Sequence, residues 1–195
     1  MRPILHITWE YPPFVVGALS KYLSEIIPNI ASQYTTVLVV RGDTDGVFES
    51  QGIKIYKVGS SVRTHPHILT YAHLLNLDLL RGAANALHEN GGASLIHSHD
   101  WISSIASIYL SSYIGCPLFI SVYTTEITRS HSLKSVLSLG IFDLERYCFQ
   151  RAERVFVRDH QMRDLLVSEY GVDRGRIVLG NDPETILKTY RGILN

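Results

Sequence analysis

The chain has 195 residues, and its 18 Lys+Arg balance 18 Asp+Glu, a zero net charge that argues against a broad phosphate-neutralising face for nucleic acid. With 46% hydrophobic and 18% charged residues it can build a packed interior, which excludes wholesale disorder. No apolar run approaches the roughly 20 residues of a membrane span, the start lacks a secretory-signal pattern, and Cys116 and Cys148 fit neither a zinc pattern nor a disulfide scaffold; a cytoplasmic protein is expected.

Pro3 to Thr8 reads as a short strand rich in branched residues. A loop with Tyr11-Pro12-Pro13 follows, because a Pro-Pro pair continues neither a ladder nor a helix. Leu19, Tyr22, Leu23, Ile26, Ile27 and Ile30 recur at three and four, one apolar stripe of a helix that Pro28 should kink or end early. Thr36 to Val40 is a strand stopping at the turn cluster Arg41-Gly42-Asp43, and Gly52 to Val58 alternates as a strand with one wet face. A helix from about His67 to His88, with Leu74, Leu75, Leu77, Leu79 and Leu80, should be well buried and ends at Gly91-Gly92.

The alternation then repeats. Ser94 to His97 is a strand, Trp101 to Tyr113 a helix with Ile102, Ile105, Ala106 and Tyr109 on one stripe, and Pro117 to Val122 a strand. After a longer loop, Leu144 to Arg151 reads as helix, Arg154 to Val157 as strand, Gln161 to Tyr170 as helix and Arg176 to Leu179 as strand. Asp182-Pro183-Glu184 is a helix start, and Ile186, Leu187, Tyr190 and Ile193 or Leu194 form the apolar side of the last helix. Strands alternating with helices imply a three-layer, Rossmann-like, doubly wound α/β domain with a mainly parallel sheet of about seven strands. Ligands in such sheets sit beyond the carboxyl ends of the strands.

Three strand-end loops therefore carry the candidate chemistry. In Trp9 to Leu19, Gly17 precedes a helix whose free amides can receive an anion, or the loop is an ordinary connection. A dinucleotide fingerprint is absent, so no nicotinamide-type cofactor is expected. In His97-Ser98-His99-Asp100-Trp101 the two histidines point to one side of a strand, and Asp100 caps the next helix or meets a ligand. The histidines can contact a sugar, serve structure, or hold a metal, for which Asp43, Asp45 and Glu126 are the further donors. In Tyr123-Thr124-Thr125-Glu126 the hydroxyls and carboxylate can bind a polyol or simply face water. No Gly-x-Ser-x-Gly elbow or Cys–His pair supports covalent hydrolysis.

Taken in order, Trp9-Glu10-Tyr11-Pro12-Pro13, Val15-Val16-Gly17-Ala18-Leu19-Ser20, His97 to Trp101 and Ser121 to Glu126 resemble the N-terminal domain of retaining GT-B glycosyltransferases. The glycogen and starch synthase type, archaeal members especially, is the nearest likeness, and Glu145 to Leu179 is similar to the segment before its interdomain linker. The resemblance implies an acceptor-side domain over residues 1–195, with His99 beside the transferred sugar as catalytic residue and Gly17 and Ala18 at the donor phosphate. It also implies substrate contacts from Trp9, Glu10, Asp100, Trp101, Tyr123, Thr124, Thr125 and Glu126, and no cofactor or resident metal.

This sequence departs from the family pattern at Phe14 (commonly basic), at Ala18 (commonly Gly), at Tyr123 (commonly His) and near Arg158 (commonly Ser). The donor domain has no counterpart in these residues, and residues 183–195 resemble the terminal helix that packs back on the N-terminal domain. The expected function is a carbohydrate-binding or regulatory module inactive alone, with a sugar or glucan ligand. The alternatives are a subunit of a split transferase completed by a donor-domain chain, or a small metal-dependent enzyme using His97 and His99. A self-associating homo-oligomer is a further expectation, because a cleft without its partner exposes apolar surface.

Overall fold

The computed structural model describes residues 2–13, 17–60, 64–130 and 133–194; Phe14 lies outside them. Eight strands form one sheet: β1 (Ile4–Thr8), β2 (Thr36–Gly42), β3 (Gly46–Ser50), β4 (Ile53–Gly59), β5 (Leu95–His99), β6 (Leu118–Val122), β7 (Arg154–Val157) and β8 (Ile177–Leu179). Their order is β3-β4-β2-β1-β5-β6-β7-β8. All pairings are parallel except β3 with β4. The helices are α1 (Ala18–Ala31), α2 (Ile68–Glu89), α3 (Ser104–Ile114), α4 (Glu126–Ser130), α5 (Val136–Arg151), α6 (His160–Ser168) and α7 (Pro183–Leu194).

The period of two sorts each strand between two helix layers. Leu5, Ile7, Ile96, Ile120, Val155 and Val157 pack with α2, α3, α5 and α6. On the other face Ile4, Leu95, Phe119 and Phe156 meet Ile26 and Ile30 of α1 and Ile186, Leu187 and Tyr190 of α7. Burying each large side chain contributes about 1.5–3 kcal/mol, so α7 is fastened by its apolar stripe. Asp182 caps it, accepting the Thr185 N–H at 2.9 Å.

Five local expectations change. The eighth strand, β3, falls in residues to which the sequence reading assigns no element; Gln51 (φ 52°) and Gly52 (φ 74°) join it to β4 in a tight hairpin. Helix α1 runs through Pro28 to Ala31 instead of stopping early. On α2, Leu77 is 63% exposed while Asn76 and Asp78 are buried. Asn76 bonds the Ala72 and Ile102 carbonyls and the Ala106 N–H, a polar clamp between α2 and α3 that an apolar stripe does not foresee. Tyr109, assigned to the buried stripe, is 60% exposed. The long loop before residue 144 is helical at α4, and α5 starts eight residues earlier than its periodicity indicates, Ser135 capping Ser138 N–H at 3.0 Å.

Candidate functional site

Chain order along the sheet reverses between β1 and β5: β2 and β4 lie on one side of β1, and β6, β7 and β8 extend beyond β5. The loops after β1 and β5 diverge there and leave a crevice at the carboxyl ends, where open α/β sheets bind ligands. A cavity of about 470 Å³ occupies it, lined by Trp9, Glu10, Ala18, Leu19, Tyr22, Asp100, Tyr123, Thr124, Arg158 and Asn181. Six of the residues singled out in the sequence are among these: Trp9, Glu10, Ala18, Asp100, Tyr123 and Thr124. Leu19 and Tyr22 were read as core stripe, and Asn181 as part of a helix start. Arg158 and Asn181 had a signal, since each follows a strand end.

The walls are aromatic and the polar groups few. Tyr22 and Tyr123 meet edge to face, ring centroids 5.4 Å apart, and the Tyr22 hydroxyl donates to the Asn181 carbonyl. Two buried polar atoms of lining residues, Trp9 Nε1 and Asn181 Oδ1, have no hydrogen-bond partner among the described residues. One is a donor and the other an acceptor, the pair a hydroxyl satisfies.

Asp100 holds the strained position of the site. Its φ of 70° and ψ of 159° lie in a region that is essentially glycine's, at a cost on the order of 1–3 kcal/mol. Its Oδ1 accepts the Trp101 N–H at 2.7 Å. Burial pushes the carboxyl up to about 7, with Glu145 and Glu10 adding to the rise and the Trp101 N–H and Arg129 opposing it.

At Gly17, expected at a phosphate, the structure shows an internal partner. Its N–H, at the entrance to α1, donates to Glu10 Oε2 at 2.6 Å, so this chain's own carboxylate takes the anion position. The buried Glu10 thereby closes the loop back on the helix. Ala18 opens α1 in a right-handed conformation, so its methyl imposes no backbone restriction.

His99 does not line the cavity. It is fully buried beneath it, Nδ1 3.1 Å from the Tyr123 hydroxyl and Nε2 2.9 Å from His6 Nδ1. The tyrosine ring takes the place next to the crevice, so the expected catalytic contact of His99 with a sugar is blocked in this arrangement. His97 lies deeper, bonded to the Tyr190 hydroxyl at 2.5 Å and Ser121 Oγ at 2.9 Å. Burial keeps all three histidines neutral, His6 being lowered to about 3 and the other two well below the usual range.

Nitrogens of His6, His97 and His99 lie within 4.8 Å of one another, as a metal site would require. Their rings, however, are stacked 4.5–5.5 Å apart with interplanar angles of 8–32°. Lone pairs in nearly parallel planes run side by side and do not converge on one ion, and both His97 nitrogens already have partners. His6 and His99 are hydrogen-bonded to each other and His97 to Tyr190 and Ser121, while His6 Nε2 has no partner among the described residues. Of the further donors proposed, Asp45 is held by Arg81 and the Gly59 N–H.

Three other expected contacts lie outside the cavity. Trp101 is buried on the opposite side, with the Arg129 guanidinium 5.7 Å from its ring. Thr125 is buried in the turn that opens α4, bonded to Thr128. Glu126 binds Ser138 Oγ at 2.6 Å and Arg129 at 3.1 Å, tying α4 to α5. For Thr125 and Glu126 the reason is α4, unforeseen as a helix, which draws their side chains into bonds with Thr128, Arg129 and Ser138.

Residues 19–179 match the model of glycosyltransferase family 4. The chain is 24% identical over 182 residues to an uncharacterized glycosyltransferase of Methanocaldococcus jannaschii, covering 89% of this chain and 44% of that protein. It is 23% identical over 186 residues to a glycogen synthase of Mycobacterium tuberculosis, covering 86% and 45%. It thus spans less than half the length of these relatives. Among solved structures it is similar to a sucrose-phosphate synthase of Thermosynechococcus elongatus (TM-score 0.72, 14% identity, 92% of this chain and 48% of that one). It is also similar to Anabaena HepE in complex with UDP and glucose (TM-score 0.61, 15% identity, 98% and 50%). The family match, the α/β sheet and the crevice at its switch point agree: the chain belongs to glycosyltransferase family 4.

Proposed function

We propose that residues 1–195 form a single acceptor-side domain that binds carbohydrate in the crevice and performs no glycosyl transfer alone. The observation that carries this is the lining of the cavity: the aromatic residues Trp9, Tyr22 and Tyr123, with Trp9 and Asn181 each carrying a buried polar atom that has no partner among the described residues. Such a surface suits a sugar ring, whose apolar face stacks on aromatics while its hydroxyls take both a donor and an acceptor. It suits a diphosphate poorly, because Glu10 and Asp100 bring two carboxyl groups against the single guanidinium of Arg158. Transfer requires donor and acceptor held together in a site that stabilises the leaving group, and here the histidine expected at the sugar is sealed under Tyr123.

Oligosaccharides or soluble glucans at millimolar concentration should raise the melting temperature saturably with no other protein present, and Trp9→Ala should abolish the shift. Absence of any shift in the wild type would overturn the reading. A cytoplasmic setting goes with it, both cysteines being free. No helix among the described residues is long and apolar enough to cross a membrane.

A second reading is a split enzyme, in which a separate donor-domain chain completes the site. It requires transfer from a nucleotide sugar on mixing with a separate donor-domain chain, and is lost if the mixture stays inactive. The metal-enzyme reading has the stacked histidine planes against it; bound metal at stoichiometry after purification, lost in His99→Ala, would revive it. Self-association across the open crevice would show as a dimer in sedimentation at high concentration.

A further inference from the structure

The other end of the sheet carries a second cavity. It measures about 510 Å³ and is lined by Gly115 to Leu118, Arg151, Glu153, Arg154 and Arg176, together with Ser111. The topology assembles it. The connections from α3 into β6, from α5 into β7 and from the turn at Arg174–Arg176 into β8 all enter neighbouring parallel strands at their amino ends. Arg151 is the last residue of α5 and Arg154 the first of β7. Val155 is in register with Ile177, so Arg154, the first residue of β7, and Arg176, the last residue of the turn before β8, each immediately precede one member of that pair.

Like charges close to one another repel. Five other arginines are paired with carboxylates: Arg81 with Asp45, Arg129 with Glu126 and Glu145, Arg158 with Asp159, Arg163 and Arg174 with Asp164. Arg151, Arg154 and Arg176 have no carboxylate within 4 Å among the described residues. Arg151 stacks on Tyr147, 4.2 Å from the ring centroid. Arg154 donates one nitrogen to the Glu153 carbonyl, and Arg176 one to the Gln150 carbonyl in the last turn of α5.

Those carbonyl bonds are what arginines near a helix end provide structurally. They use one nitrogen of each guanidinium, and both arginines line the cavity. Glu153 lines the same cavity, so three guanidiniums face one carboxylate there.

We propose that this amino-end cavity is an anion site that takes the phosphate group of a small molecule, held by Arg154 and Arg176 with Arg151 at its rim. A dianion accepts from several guanidinium N–H groups at once, with the planar forks supplying charge-assisted bonds. It also offsets the repulsion between the guanidiniums. The site is at the opposite end of the strands from the carbohydrate crevice and does not depend on what the crevice binds.

The test is a titration of inorganic phosphate at constant ionic strength, followed by chemical shifts of the arginine side-chain N–H groups and by melting temperature. Saturable shifts confined to this cavity are expected. Arg154→Gln should weaken binding about tenfold, the exposed Arg176→Gln similarly, and the double variant should lose saturation. Lys188→Gln, on the outer face of α7, should bind as the wild type does. Arg176→Gln keeps the test decisive should Arg154→Gln fold poorly. The proposal is overturned if phosphate produces no saturable shift, if chloride at matched ionic strength reproduces it, or if the double variant binds with unchanged affinity.

Discussion

Two buried carboxyl groups lie on either side of the Arg129 region and are treated differently. Glu145 of α5 accepts the Glu126 N–H at 2.8 Å, Arg129 at 2.6 Å and the Tyr170 hydroxyl at 2.7 Å. Asp100, at the crevice, has only the Trp101 N–H as hydrogen-bond partner among the described residues. Burial raises both carboxyls; around Glu145 three donors oppose it without cancelling it, and around Asp100 one donor and a more distant guanidinium leave it near 7. A buried charge is costly until its lone pairs are satisfied. The satisfied group holds α4 to α5; the unsatisfied one, on a strained backbone, is where a ligand has something to supply.

The contrast is broken most severely at Glu145. Glu145→Ala leaves Arg129 and the Tyr170 hydroxyl without their partner, and should cost about 3–5 kcal/mol in urea unfolding. A loss under 1 kcal/mol would mean the network is incidental.

At Asp100 the effect is smaller and depends on pH. The folded carboxyl titrates near 7 against an ordinary 3.8. The native state therefore holds a proton that the unfolded state has released, and stability falls as pH rises from about 4 to about 7. Below that window the contribution is constant. Asp100→Asn, neutral throughout, should flatten the profile by on the order of 2–4 kcal/mol across it. Parallel pH profiles for the two proteins would remove the distinction between the carboxyls.

The smallest change expected is at the floor of the crevice. Tyr123→Phe removes the hydroxyl from His99 and should cost about 1 kcal/mol while the ring still covers the histidine. Diethylpyrocarbonate should leave His99 unmodified in Tyr123→Phe and modify it in Tyr123→Ala. Equal reactivity in both would show that the ring is not the cover.

Much of the fold was legible because it follows from local pattern: branched runs made the strands, a three-and-four stripe made α1 and α7, and Asp182-Pro183 marked where α7 starts. Strand β3 was missed because Gln51-Gly52 is a weaker turn signal than Asn-Gly or Asp-Gly, and Leu77 misled because α2 buries Asn76 through bonds to another helix. At the site, rule-based attention to strand ends located Trp9, Glu10, Asp100, Tyr123 and Thr124. Thr125 and Glu126 lie outside the cavity lining, where a five-residue helix, too short for periodicity to reveal, redirects the chain.

The sequence by itself determined the alternation of strands and helices, the family, and the fact that His97 and His99 share one face of β5, because each depends on neighbours in the chain. Only the tertiary structure decided that His6 joins them from β1, that Tyr123 seals them from the crevice, that Glu10 occupies the start of α1, and that three arginines from α5, β7 and the approach to β8 share one cavity. Those arrangements depend on strand order and register, which bring together residues as far apart as His6 and His99, and no local pattern records a contact across that distance.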